Sequence, residues 1–281
     1  MTNLRPSLPV QTYRDFIAGQ SLLDRARGAL RNAAILALST GRSLDNKEGW
    51  IRFPFYHHVF DDERLGFARQ LDFMASHGDF IGLDDAVDMI ESGAPINGRY
   101  FCVSFDDGFK NWITNAMPIL LDYGVPAAFF VVAGYIGTEV KRDREKLLGF
   151  YESRDRLMEF LSWDDCREMA GAGMTIGSHT INHVHLCDLD DDGVEAELAG
   201  SKQLIESELG RACDHFCCPF GRANIDYRPD HHPAIALRAG YRTFLATTRG
   251  AVRQGASPME IPRDHLLAGW ENYQLRYFFS R

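Results

Sequence analysis

The sequence predicts an α/β fold in which parallel strands curl into a barrel. Three observations predict it. Short apolar runs of strand length alternate with longer runs of helical spacing from Ile51 to Ala246. One short run, Ala127–Val132, is apolar almost throughout, as expected of a strand covered on both faces. Six or seven such strand–helix units fit one closed barrel better than two separate small domains.

Residues 1–48 read as an N-terminal helical extension and residues 49–281 as the main domain. Gln11–Ser39 is expected to form one or two helices, and Gly41–Gly49 a polar connection. Ile51–Tyr56 is the first strand, followed by a helix over Phe67–His77. Tyr100–Phe105 is the second strand, ending in Asp106-Asp107-Gly108. Trp112–Asp122 reads as a helix with Pro118 a blemish in it, and Ala127–Val132 is the third strand. Trp163–Ala172 is a helix with Ser162 as N-cap, and Met174–Gly177 a short strand. Asp191–Leu209 is a helix stopped by Gly210, its acidic start suited to a helix N-terminus. His215–Cys218 is a strand stopped by Pro219, Pro233–Ala239 a helix, and Tyr241–Ala246 a strand.

The chain has 281 residues, 45% hydrophobic and 25% charged, with a net charge of −9. An acidic chain without dense Lys/Arg clusters is a poor nucleic-acid binder. No segment approaches the roughly 20 apolar residues needed to span a bilayer. Ala33–Leu38 reads as part of an amphipathic helix packed on the domain, with an export signal or membrane-surface helix as the alternative. None of the six cysteines forms a CxxC pair. Without an export signal, a reduced cytoplasmic protein is expected.

The polar clusters fall at the ends of predicted strands: His57-His58, Asp106-Asp107, His179 and Pro219-Phe220-Gly221. In a barrel, chemistry gathers there. Adjacent carboxylates raise each other's pKa, a difficulty that a nearby cation removes. His179 and His183 lie four residues apart and share one face if the chain coils after its strand. Thr180 stands where a zincin has its glutamate, which argues against that protease type. Two histidines and one carboxylate make a facial metal triad with open positions. A second carboxylate beside it supplies a base for hydrolysis.

From Ile51 to Leu267 these motifs resemble the polysaccharide deacetylase family, also called NodB-homology or carbohydrate esterase 4. Ser104-Phe105-Asp106-Asp107-Gly108 is similar to its first motif, which implies Asp106 as catalytic base and Asp107 as metal ligand. His179-Thr180-Ile181-Asn182-His183 is similar to the second, which implies two further ligands, His179 and His183. Cys218-Pro219-Phe220-Gly221 is similar to the third, which lines the groove; the backbone N–H of Phe220 would stabilise an oxyanion. Cys217 occupies the place of a usual arginine, and Arg263 is the candidate to replace it by pairing with Asp106. Phe53-Pro54-Phe55-Tyr56-His57-His58-Val59 resembles the opening of the circularly permuted, poly-N-acetylglucosamine deacetylase-like subgroup. That makes His57 the general acid, with His58 and His265 as alternatives and His58 a groove residue. His185 reads as a supporting or surface residue, and His231-His232 as a solvated turn.

The resemblance implies a distorted (β/α)7 barrel and a divalent cofactor, with zinc first and cobalt, manganese or nickel possible. The expected reaction is deacetylation of an N-acetylated glycan or its lipid- or nucleotide-linked precursor. Hydrolysis of a cyclic ureide or formamide, or sugar binding without catalysis, are the alternatives.

Overall fold

The apolar run Ala127–Val131 becomes a central strand, buried at every position. Its side chains alternate between two clusters. Phe129 and Val131 join the larger core; Ala128 and Phe130 join a smaller one with Phe53, Cys217, Leu245 and Ile261. The smaller cluster draws residues from strands all round the sheet, which puts it inside the curl.

The computed structural model describes residues 8–44 and 48–280. The strands are β1 (Trp50–Arg52), β2 (Pro54–Tyr56), β3 (Asp79–Phe80), β4 (Arg99–Phe101), β5 (Val103–Asp107), β6 (Ala127–Val131), β7 (Thr175–Ser178), β8 (His215–Cys217), β9 (Thr243–Leu245) and β10 (Asp264–His265). The helices are α1 (Tyr13–Phe16), α2 (Leu22–Ser39), α3 (Arg64–Ala75), α4 (Leu83–Glu91), α5 (Met117–Asp122), α6 (Arg144–Leu148), α7 (Trp163–Gly171), α8 (Asp191–Leu209), α9 (His232–Arg238) and α10 (Asn272–Phe279). Residues 1–7 of the expected extension and 45–47 of the expected connection lie outside the described residues.

A seven-stranded sheet runs in the order β10-β2-β5-β6-β7-β8-β9, with every pairing parallel. The chain between β9 and β10 closes the curl. Ile261 bridges Leu245 on one side, and three residues later Asp264 pairs with Pro54 on the other. This is the distorted barrel that the sequence predicts. A smaller parallel sheet, β1-β4-β3, lies beside it.

Two expected strands are each divided between the sheets. Ile51–Tyr56 is β1 and β2, and Tyr100–Phe105 is β4 and the start of β5. The crossings are tied together: the Cys102 N–H donates to the Arg52 carbonyl, and Asp264 N–H donates to the Phe53 carbonyl, both at 2.9 Å. β1, β2 and β5 are buried at every position and β4 at Phe101, so each run reads as one buried strand.

Other elements depart in smaller ways. Trp112–Ala116 is a π-helical stretch, and Pro118 sits in the first turn of α5 rather than interrupting a longer helix, where a missing N–H costs nothing. Ser162 caps α7, Asp190 caps α8, and Gly210 ends α8 in the left-handed region. His232 is buried at the start of α9, not solvated. In α2 only Ile35 and Ser39 are buried. The expected packing on the domain is therefore limited to its C-terminal half, against α10. Among the described residues no helix is long and apolar enough to cross a membrane.

Candidate active site

The strand ends β2, β5, β7, β8 and β10 meet at one mouth. A cavity of about 510 Å³ opens there, lined by His57, His58, Asp107, His183, Phe220 and His265 among others.

Asp106 and Asp107 follow each other on β5, so pleating sends their side chains opposite ways. Asp106 is gripped by Arg263, whose Nη1 and Nη2 each donate to one carboxylate oxygen at 2.7 Å. Both side chains are buried. Arg263 is therefore not a surface residue. The Cys217 thiol also lies against both Asp106 oxygens, at 3.7 and 3.8 Å. The guanidinium that the third motif lacks in sequence thus arrives in space from the closing segment. Burial pushes the Asp106 carboxyl up, but the charge and hydrogen bonds of Arg263 outweigh it and hold the carboxyl below its ordinary range.

Asp107 faces the two histidines. Its Oδ1 lies 3.5 Å from His179 Nε2 and 3.2 Å from His183 Nε2. The histidine pair is not brought together by a helical coil. The chain turns instead through Thr180 and His183, both at positive φ, and the Thr180 hydroxyl accepts from His183 N–H at 3.0 Å. Glu197 on α8 pins this loop, accepting from the backbone N–H groups of Ile181 and Asn182. Asp107 (φ 94°) and Phe220 (φ 59°) are also left-handed. Four such non-glycine residues around one mouth are a local store of strain, typical of functional sites. Gly108 continues the turn at φ 102°, and a side chain there would strike Ile136.

The donor set suits a divalent ion. Asp107 Oδ1 is buried without a hydrogen-bond partner. His179 Nδ1 lies 2.8 Å from the Cys217 carbonyl; a carbonyl only accepts, so Nδ1 carries the proton and Nε2 offers a lone pair. Asp107, His179 and His183 present one ligand atom each within 4.8 Å of one another. Asp106, His179 and Cys217 also cluster this closely, but Arg263 already occupies both Asp106 oxygens, which favours the first set.

The polysaccharide deacetylase family model matches residues 94–244. The chain belongs to the polysaccharide deacetylase family. It is 28% identical over 167 residues to YxkH of Bacillus subtilis, covering 59% of this chain and 51% of that protein. It is 22% identical over 192 residues to the poly-beta-1,6-N-acetyl-D-glucosamine N-deacetylase of Staphylococcus aureus strain MRSA252, covering 62% and 60%. The chain thus spans about half to three-fifths of the length of these curated relatives. Among solved structures, IcaB from Ammonifex degensii has the same fold, with a TM-score of 0.67, 21% identity, and 83% and 97% of the two chains covered. The deacetylase PplD of Streptococcus pyogenes gives 0.63, 20%, 83% and 98%.

The other sequence candidates of this family member occupy distinct positions. His57 Nδ1 is 3.2 Å from His265 Nε2, and the Trp112 indole N–H donates to the His57 carbonyl at 2.7 Å. His58 turns away from that pair: its Nε2 meets the Tyr151 hydroxyl at 2.9 Å. Burial, the largest cause, drives the pKa values of His58 and His265 down to about 3. Phe220 is 40% exposed and stacks on His185 at 3.8 Å with rings 3° apart. His185 is held in turn by Asp226 at 2.8 Å. Gly221 is left-handed, and a side chain there would press on the Thr247 backbone. Pro219, just before Phe220, starts the turn, but only Phe220 of the three lines the cavity.

Sequence reasoning missed the aromatic wall. Tyr13, Phe16, Phe60, Phe150 and Tyr151 line the same cavity, and Phe150 stacks on His183 at 4.8 Å. Tyr13 and Phe16 come from α1, Phe60 from the loop after β2, and Phe150 and Tyr151 from irregular chain after α6, so no single sequence pattern links them.

Proposed function

We propose that the chain is a divalent-metal-dependent hydrolase that removes acetyl groups from N-acetylated amino sugars in a polysaccharide, an oligosaccharide or a lipid- or nucleotide-linked glycan precursor. One observation carries the reading: an Asp107–His179–His183 donor set stands beside a second carboxylate, Asp106, that Arg263 keeps charged. The family membership and the name of the Staphylococcus aureus relative support the same chemistry.

In this reading Asp107, His179 and His183 hold the ion, with zinc first among candidates. Such an ion, when bound, supplies Lewis-acid polarisation of a carbonyl and acidification of water. Asp106 takes the proton of the attacking water, and Arg263 keeps that carboxylate ionised and fixed. The Phe220 backbone N–H is assigned to the developing oxyanion. His57 gives a proton to the departing amine, with His265 holding its Nδ1 side. The aromatic wall and Phe220 suit the apolar faces of a pyranose. Residues 49–281 form the catalytic domain, and the 1–48 extension contributes Tyr13 and Phe16 to the cavity wall.

The test is acetate release. The purified chain is offered oligomers of β-1,6-linked N-acetylglucosamine, chitooligomers, an O-acetylated sugar, a formamide and a cyclic ureide. Release of acetate from an N-acetylated oligomer supports the reading. Turnover confined to the formamide or ureide replaces it with another amide hydrolase, and turnover confined to the O-acetyl sugar makes it an esterase.

A further inference from the structure

Helix α2 is attached at one end and bare at the other. Of its eighteen residues only Ile35 and Ser39 are buried. Leu22, Leu23 and Leu30 are 83%, 70% and 73% exposed. Leu22, Ala26, Leu30, Ala33 and Ala37 recur at three- and four-residue spacing and are all exposed, so they form one apolar stripe. At 3.6 residues per turn the stripe lies opposite Ile35 and Ser39, and points away from the domain. Arg25 and Arg27 fall on its two edges, with Arg31 beyond. The helix carries three arginines against one aspartate, Asp24, on a chain whose net charge is −9.

We infer that α2 is an in-plane amphipathic helix that seats the protein on an anionic lipid surface. An apolar stripe edged by arginines is the pattern of helices that lie in the headgroup region. Charge selects the occupant. A second copy would bring the same arginines against these, whereas anionic headgroups complement them. A negative chain would be repelled from such a surface everywhere except at a patch like this one.

The location matches the catalytic cavity. The back of α2, at Gly28 and Asn32, lines a second cavity of about 780 Å³ with Trp270 and Tyr273, and Arg25, Arg27 and Arg31 stand at its rim between the stripe and the domain. The two cavities share Tyr13, Glu63 and Leu267. A glycan held at a bilayer by its lipid end would thus meet a continuous path from the seated helix to the strand ends.

The experiment is co-sedimentation of the whole chain with vesicles of phosphatidylcholine alone and of phosphatidylcholine mixed with phosphatidylglycerol. Binding is expected only to the mixed vesicles, and it should weaken at least about tenfold in Arg25→Gln/Arg27→Gln and with molar salt. Leu22→Glu/Leu30→Glu should abolish it while leaving thermal stability and turnover of a soluble oligosaccharide unchanged, because both leucines are exposed. Equal binding to neutral vesicles, no binding to either, or binding unaffected by Leu22→Glu/Leu30→Glu would overturn the inference. So would a dimer in sedimentation equilibrium that Leu22→Glu/Leu30→Glu dissociates, since a second copy would then cover the stripe.

Discussion

Arg263 and Asp106 face each other through two parallel hydrogen bonds of 2.7 Å, with both side chains out of water. The pair joins the segment that closes the barrel to the strand that carries the expected base. Its worth is mainly that neither charge is left alone.

Removing the arginine should therefore do more harm than removing both partners. Arg263→Met leaves a buried carboxylate unpaired and is expected to cost about 3–5 kcal/mol in urea denaturation. Arg263→Met/Asp106→Asn should recover much of that loss without recovering turnover. Equal destabilisation by the single and double variants would mean that the pair is not coupled.

Asp106→Asn alone should retain the bound ion, because Asp107, His179 and His183 are untouched, while acetate release falls about 10²- to 10⁴-fold. Asp107→Ala, His179→Ala and His183→Ala should each lose the ion. Metal content by atomic emission distinguishes the two classes. An Asp106→Asn protein that turned over at the parent rate would remove the base assignment.

His57→Gln should show a dependence on the leaving group. An amine needs a proton to leave, but the phenolate of an aryl acetate does not. The variant is expected to lose about 10²- to 10⁴-fold on N-acetylated oligomers and little on the aryl ester. His265→Gln, acting through His57 at 3.2 Å, should lose less on oligomers. A larger loss in His265→Gln would exchange the two roles.

Glu63, on the wall shared by the two cavities, supplies a pH test that does not involve the proposed ligands. It is buried, accepts from the backbone N–H groups of Phe60 and Gly269, and has its pKa raised by burial from the ordinary 4.5 to about 7. A raised carboxyl favours the folded state when neutral. Its contribution is full below 4.5 and is lost as pH rises towards about 7, by at most about 3 kcal/mol. Stability relative to Glu63→Gln should fall across that window. A difference that stayed flat from pH 4.5 to 7 would contradict the shift.

The order of strands and the strand-end clusters were readable because buried parallel strands are apolar and end in polar, glycine-containing turns. Asp106-Asp107 and His179–His183 stood out for their residue types. Arg263 was found only through the missing arginine at Cys217, since sequence does not tell which distant strand end supplies a partner. The split of Ile51–Tyr56 was hidden, because β1 and β2 are both buried throughout and only Phe53 separates them. Tyr13, Phe16, Phe150 and Tyr151 were not readable as cavity residues, because their position follows from where the short helix α1 and the irregular chain after α6 pack. The same holds for α2: its pattern predicted a helix, but not that its apolar stripe would face outward.

The central claim is that Asp107, His179 and His183 bind an ion on which deacetylation depends. The most direct measurement is acetate release from an N-acetylated amino-sugar oligomer before chelation, after it, and after adding back zinc, cobalt, manganese or nickel. The account predicts a loss of at least about 100-fold on chelation, restored by one equivalent of at least one of these ions per chain. Unchanged acetate release from protein stripped of metal would contradict it.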